Sequence, residues 1–564
     1  MKRALPSLLT ALLVLGTAAQ AGMTITPIGR HDEPGFDVGA AEIVTYDPLS
    51  KQVYTVNGNT GNVDVLNIAD PTSPQLVGRI DVSQFGFSSN SVAVYDGVLA
   101  VAIEAVDTQA NGTIAFYDSG LNLLSSVTIC ALPDMLTFTP DGKKVLAVCE
   151  AEPNSSYTVD PEGGIAIVDV KHGARHVQQS DVTIADFRAF NNATFDPSVR
   201  IFGPGATPAQ DFEPEYIAVS PDSKTAWATM QENNAIATID LKHNKVTKVT
   251  GLGFKDATLS QNAFDASDKD GMINITTHPV KMMFLPDEMA SFQVNGKTYL
   301  ALANEGDTRD YEGFSEEARV GDLVLDPTAF PNAAALQDPA NLGRLKVTNT
   351  KGDTDGDGDY DELYSFGGRS ISIRETSGAL VWDSGDEVEQ ITAALIPEHF
   401  NASNDSNKFD DRSDDKGPEP EGIKVGVING VPVIFSGIER PGGIMAYSVC
   451  DPARPKFETY VNSRNFDVDP TDPASFDNSP EGQFFIPAKD SPNGKPLLIS
   501  GFEVSGTTTI FQIDGAPDSC GCDGGHGGGH GGGHGGGHGG GHGGGHGGGH
   551  GGGHGGGHGG GHGH

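Results

Sequence analysis

One strand–turn–strand pattern returns seven times along this chain, and it limits the possible folds more than any other feature. Its clearest copy runs Glu213-Pro214-Glu215-Tyr216-Ile217-Ala218-Val219-Ser220-Pro221-Asp222, continues from Thr225 to Gln231, ends at Glu232 and resumes from Ala235 to Asp240. Apolar or alternating runs of strand length are bounded by turn formers, so each copy reads as three short antiparallel strands. Asp134 to Gly142, Val145 to Glu150 and Gly164 to Asp169 repeat it, and further copies lie near 42–68, 92–118, 281–305, 421–447 and 481–513. The fifth copy is interrupted by a long insertion, and Ser370-Ile371-Ser372-Ile373 is expected to supply its third strand. Units that cannot bury their own faces must stack. Seven stacked sheets with almost no helix between them predict an all-β, seven-bladed β-propeller, a β-sandwich with extensions being the competing architecture. Helical spacing is confined to Phe314–Leu325 and Asp386–Ile396, expected as short helices on the rim. Residues 22–514 are thus read as one domain, with insertions at about 306–369 and 386–418.

The second strand of each copy ends on an acid. Glu104, Glu150, Glu232, Glu305, Glu439 and Glu503 follow the apolar runs, while Asn57 holds that place in the first copy. A second acidic position opens the first strand at Glu42, Glu215, Glu421 and Glu481, with Asp134 in the third copy. In an antiparallel pair the start of one strand lies beside the end of the next. Both sets are therefore expected on one face, the opening acids ringing the mouth of the central channel and the strand-ending acids just outside. Like charges packed this closely raise one another's pKa or recruit a counter-charge. Ca²⁺ accepts mixed carboxylate and carbonyl oxygens, so divalent cations are the expected partners. The plainer alternative is that each glutamate caps a turn or pairs with a local cation such as Arg309 or Arg440.

A second acidic feature is Asp353-Thr354-Asp355-Gly356-Asp357-Gly358-Asp359-Tyr360-Asp361-Glu362, with Asp at positions 1, 3, 5 and 9 and Gly at 6 of a calcium-loop pattern. Position 12 is Tyr364, so the loop resembles isolated extracellular calcium loops more than a sensor, and its expected role is to stiffen the insertion. Asn404 to Asp415 is also acidic and reads either as a mobile loop or, since it leads to Glu421, as a ligand-facing one. From Gly524 the chain is glycine with a histidine at every fourth position, beginning His526, His530, His534 and His538. Such a composition packs no core and predicts a disordered tail with weak affinity for Zn²⁺, Cu²⁺ or Ni²⁺.

Lys2 and Arg3, the apolar stretch Ala4–Ala18 and Ala19-Gln20-Ala21 read as a signal peptide over residues 1–21, which places the protein in the periplasm, at the cell surface or outside the cell. With 36 basic against 75 acidic side chains the net charge is −39, or −41 once Lys2 and Arg3 are removed. Nucleic acid and anionic lipid are bound through excess Lys and Arg, so neither is an expected partner. No later segment is long and apolar enough to span a bilayer. Five cysteines are too few for a disulfide scaffold in 564 residues. Cys130 with Cys149 is a plausible bridge, and Cys450 has either Cys520 or Cys522 as partner.

Four motifs resemble the choice-of-anchor I family of exported bacterial propeller proteins, of the YVTN/WD40-like type. They are Asn304-Glu305-Gly306-Asp307 with Ser315-Glu316-Glu317-Ala318-Arg319; the Asp353–Glu362 loop with Phe366-Gly367-Gly368-Arg369-Ser370; Asp411-Arg412-Ser413-Asp414-Asp415-Lys416-Gly417-Pro418-Glu419-Pro420-Glu421-Gly422; and Glu503-Val504-Ser505-Gly506-Thr507. Related members are described as mesenchyme-specific cell-surface glycoprotein-like or as alkaline phosphatase-like. The chain departs from the family's anchors in carrying neither a sorting motif nor a terminal apolar helix. The acidic face and the calcium loop together point to an exported calcium-binding propeller that acts as a cell-surface or periplasmic binding protein for an extracellular or phosphorylated ligand. The resemblance implies the alternative, a metal-dependent phosphoesterase working on the carboxylate-lined face, with Arg309, Arg369 and Arg440 as candidate anion clamps. For that chemistry Ser505 and Thr507 offer hydroxyls, but no HExxH, GxSxG or P-loop motif accompanies them.

Overall fold

In the computed structural model, residues 22–517 and Cys520 are described. The alternation seen in the sequence becomes seven four-stranded antiparallel sheets, six of them built from strands in chain order. The first comprises Val44–Asp47, Gln52–Asn57, Asn62–Asn67 and Gln75–Ile80; the second opens at Ser89–Tyr95, the third at Pro133–Phe138 and the fourth at Ile217–Val219. The fifth comprises Met289–Val294, Lys297–Asn304, Ser370–Glu375 and Leu380–Asp383, so Ser370–Ile373 supplies its third strand. The sixth opens at Pro420–Ile428. The seventh joins Pro480–Ile486, Leu497–Phe502 and Thr507–Asp514 to Thr24–Asp32 from the other end of the chain.

The opening strands touch one another in cyclic order, 44–47 to 89–95 to 133–138 to 217–219 to 289–294 to 420–428 to 480–486 and back to 44–47. Between successive sheets lie apolar layers, such as Val56, Val63 and Val65 against Val101 and Ile103, all fully buried. Two disulfides reinforce this frame. Cys130–Cys149 joins the last strand of the second sheet to the second strand of the third, and Cys450–Cys520 holds the C-terminal end of the described chain.

Two expectations change. Lys281–Met283 is not the opening strand of the fifth sheet; it joins a separate five-stranded sheet with Phe254–Asp256, Tyr364–Ser365, Lys346–Thr348 and Glu317–Arg319. That sheet encloses its own core of Phe264, Met282, Val320, Leu345 and Val347. Within the same insertion, Phe314–Leu325 is two short strands and a 3-10 turn, because Glu317–Arg319 pairs antiparallel with Lys346–Thr348. The other expected helix forms over Glu387–Leu395, burying Val388, Glu389 and Thr392. Among the described residues no helix is long and apolar enough to cross a membrane. The signal peptide and the histidine tail, His526 to His538 included, lie outside the described residues.

Candidate cation-binding face

Three of the acidic pairs are set by the same local device, which the second sheet repeats with Asn90 in place of the opening acid. The backbone N–H groups of Glu104, Glu150, Glu439 and Glu503 donate to the carbonyls of Ser88, Leu132, Glu419 and Ser479 at 2.8–3.0 Å. Those carbonyls lie two residues before Asn90, Asp134, Glu421 and Glu481, where the register of the opening strand shifts. A bulge bends the strand and re-aims a side chain, which is how an acid at the strand start turns onto the end of the sheet. Leu132, Leu285, Glu419 and Ser479 have φ of 42–59°, a left-handed conformation that non-glycine residues adopt at an energetic penalty.

The acids consequently face one another, and burial adds to their repulsion. Burial first, then Glu503, Asp134 and Glu104, pushes Glu42 up to about 8. Glu232 is likewise pushed up to about 8, chiefly by burial. Asp134 reaches about 7 through burial and Glu152, and Glu503 about 7, burial again leading. Glu104 is raised by burial and Glu152. Burial holds Glu150, Glu215, Glu421, Glu439 and Glu481 well above the carboxylate range, with acidic neighbours adding to it. Those neighbours run from sheet to sheet: Glu215 feels Glu150, Glu232 and Asp287, Glu421 feels Glu439, Glu503 and Glu481, and Glu481 feels Glu42.

Among the described residues, basic side chains pair with the acids of only one sector of the face. Lys416, 6% exposed, places Nζ 2.8 Å from Glu305 Oε1 and 3.1 Å from Glu419 Oε2. Arg412 reaches Glu419 Oε1 at 2.6 Å, while Arg440 bridges Glu419 and Glu439 at 3.0 and 2.9 Å. Burial opposes ionisation of Glu419, but Arg412, Arg440 and Lys416 outweigh it and hold the carboxyl well below its usual range. The loop before Glu421 is therefore packed down by its own lysine: Asp410 and Ser413 to Pro420 are buried. In the remaining sector, Glu232, Glu421 and Glu481 each keep a buried carboxylate oxygen, Oε2, without a hydrogen-bond partner, as does Glu439. Glu232 and Glu439 are only 6% and 3% exposed.

Two triads of carboxylate oxygens lie within 4.8 Å of one another: Asp287, Glu305 and Glu421, and Glu305, Glu419 and Glu439. Lys416 and Arg440 already occupy the second. Oxygens bound to Ca²⁺ at about 2.4 Å stand up to roughly 5 Å apart across the ion, so the first triad has the spacing of a cation site. Asp287 escaped the sequence reading, although a signal was present. Proline immediately precedes Asp134, Glu215, Glu421 and Glu481, and Pro286 precedes Asp287 in the same way. Lys416 carried no such local signal.

The expected anion clamps are differently employed. Arg309, 1% exposed, pairs with Asp211 and with Glu213 at 2.9 Å and lies over Phe202. Arg369 pairs with Glu389 at 2.8 Å and donates to the carbonyls of Asp265, Ser413 and Asp415. Both guanidiniums are spent on buried partners and neither is free to take a phosphate; Arg440 is on the face but shared between two glutamates. The Asp353–Asp361 loop divides. Asp353, Asp355 and Asp357 cluster in solvent, whereas Asp359 and Asp361 group with Asp326 from outside the motif.

A family model described as Choice-of-anchor I domain matches residues 42–452. Gigasin-3a of Magallana gigas is 33% identical over 193 residues, 32% of this chain and 68% of that protein. The mesenchyme-specific cell surface glycoprotein of Strongylocentrotus purpuratus is 28% identical over 241 residues, 36% of this chain and 31% of its own length. Thus the chain spans about two thirds of the first and about a third of the second. Among solved structures, hydrazine synthase of Kuenenia stuttgartiensis (12% identity, TM-score 0.43, 85% of this chain and 97% of that one) and streptogramin B lyase (10%, 0.43, 88% and 99%) are likenesses too distant to carry argument.

Proposed function

The chain belongs to the choice-of-anchor I family, and from that premise we propose that it is a seven-bladed propeller displayed outside the cell, whose acidic face holds divalent cations, Ca²⁺ first, and binds its ligand through them. Seven sheets with opening strands in cyclic contact support the blade count, and the cell-surface relative supports the location. One observation carries the cation reading: Glu421 of the Asp287–Glu305–Glu421 triad keeps a buried oxygen without a hydrogen-bond partner, and the protein's own cations reach that triad only at Glu305, through Lys416. Unpaired buried carboxylates must bind protons or a cation. A hard ion with flexible coordination and oxygen ligands is the match. Phosphoesterase chemistry is the weaker reading, since the guanidiniums it would use are ion-paired within the protein.

The test is thermal melting of divalent-free protein against rising Ca²⁺. A ligand specific to the native state stabilises by about 2.7 kcal/mol at 100 times its Kd. The midpoint should rise with Ca²⁺ in the wild type and rise only at about tenfold or more higher concentration in Glu421→Gln. Absence of any rise at millimolar Ca²⁺ would overturn the proposal.

A further inference from the structure

The loop at 401–413, which reaches the acidic face through Asn404 and Arg412, is tied to the loop at 265–274 by Arg369 and Glu389, and both loops carry buried oxygens without donors. Asp410 and Asn401 are 2% and 0% exposed. The Ser413 hydroxyl donates to Asp410 Oδ1 at 2.5 Å, and the Asn401 amide donates to Ser413 Oγ at 2.9 Å and Glu389 Oε1 at 3.3 Å. Three acceptors remain: Asp410 Oδ2, Asn401 Oδ1 and Asp270 Oδ2 are buried and none has a hydrogen-bond partner. Asp265, 1% exposed, completes the group; Ser267 and Asn274 donate backbone N–H bonds to its carboxylate.

These carboxylates sense one another. Burial, then Asp265, Asp270 and Glu389, pushes Asp410 up to about 8, and burial with Glu389 and Asp270 pushes Asp265 up to about 7. Arg369 pairs with Glu389, but among the described residues no basic side chain pairs with Asp265, Asp270 or Asp410. A proton shared among them would satisfy one acceptor and leave the others bare. An ion with several oxygen ligands satisfies them together, and irregular loops suit the variable geometry of Ca²⁺ better than the strict octahedron of Mg²⁺. Asp265 also lines a cavity of about 490 Å³, together with Asn274 and His278.

We propose that Asp270, Asp410 and Asn401, backed by Asp265, form a second site that binds one Ca²⁺ and clamps the 401–413 loop to the 265–274 loop. The site shares no residue with the Asp287–Glu305–Glu421 triad, so the two readings stand or fall separately.

Calorimetric titration of divalent-free, full-length protein with CaCl₂ tests it, together with hydrogen exchange over residues 401–413. Asp410→Asn should lose about one equivalent of Ca²⁺. Its 401–413 amides should exchange about tenfold faster than wild type in Ca²⁺, and no faster without it, because asparagine replaces a carboxyl that is protonated in the metal-free protein. Asp270→Asn, at a partly exposed position, should show the same lost equivalent and supplies the test should Asp410→Asn fail to fold. Glu421→Gln should remove a different equivalent and retain the one that Asp410→Asn loses. Wild-type stoichiometry in both aspartate variants, or faster exchange in Asp410→Asn irrespective of Ca²⁺, would overturn the proposal.

Discussion

Raising the pH of the metal-free protein should destabilise it between about 4.5 and 8, and Ca²⁺ should remove that dependence. An unfolded glutamate titrates near 4.5, whereas Glu42 and Glu232 in the folded chain titrate near 8, burial being the main cause for both. Inside that window the unfolded chain has released the proton that the folded chain retains. The stabilisation is therefore complete below the unfolded pKa and lost as pH rises through the folded one. At about 1.4 kcal/mol per pH unit, a single such carboxyl withdraws roughly 4 kcal/mol by pH 8. We count one group, since neighbouring carboxyls share the same protons and their shifts do not add. Unfolding entropy of about 2.1 cal/mol/K per residue gives roughly 1 kcal/mol/K for a body of about 500 residues, so the midpoint should fall by about 4 °C. Calorimetry at pH 5, 6, 7 and 8, with protein dialysed free of divalent ions and again with Ca²⁺ in excess, measures both slopes. A metal-free midpoint that stays flat to within about 1 °C, or an equal fall with Ca²⁺ present, would refute the reasoning.

Lys416→Met should destabilise the metal-free protein by about 3 kcal/mol, since it strips the cation from buried Glu305 and Glu419; in the same variant Ca²⁺ affinity at the face should rise, read by calorimetric titration. Arg309→Met leaves Asp211 and Glu213 buried without a counter-charge and should cost about 3–5 kcal/mol, seen as a lower guanidinium midpoint at unchanged slope. Replacing Cys130 and Cys149 together by alanine opens a link across 19 residues and should lower stability by about 3 kcal/mol, checked by thermal melting against the oxidised wild type.

The architecture was legible because each sheet carries its own punctuation. Pro-Asp turns and strand-ending acids bound apolar runs whose partners lie close in sequence, as between Thr225–Met230 and Ala235–Asp240. Failure came where pairing is distant. Phe314, Ala318, Val320 and Leu323 mimic helical spacing, yet Glu317–Arg319 finds its partner at Lys346–Thr348. Gly321 also sits where a Cβ would come within 2.7 Å of the Gly343 carbonyl, a backbone approach that local periodicity does not encode. Lys281–Met283 misled for the same reason, its parallel partner being Tyr364–Ser365. The acids themselves were readable as a repeat, whereas their neutralisation was not: Lys416 meets Glu305 across 111 residues of sequence.

That long-range contact changes what the face can do. Glu305 belongs to both triads, so Lys416 and a metal ion at Asp287–Glu305–Glu421 draw on the same carboxylate. Each positive charge weakens the hold of the other through like-charge repulsion. A cation bound at the open triad would therefore weaken the pair by which Lys416 holds the 404–419 loop to Glu305. In the seven-fold array the unneutralised sector and the neutralised sector are thus parts of one charge balance. Ion binding at the open triad would be coupled to the position of that loop through the shared Glu305.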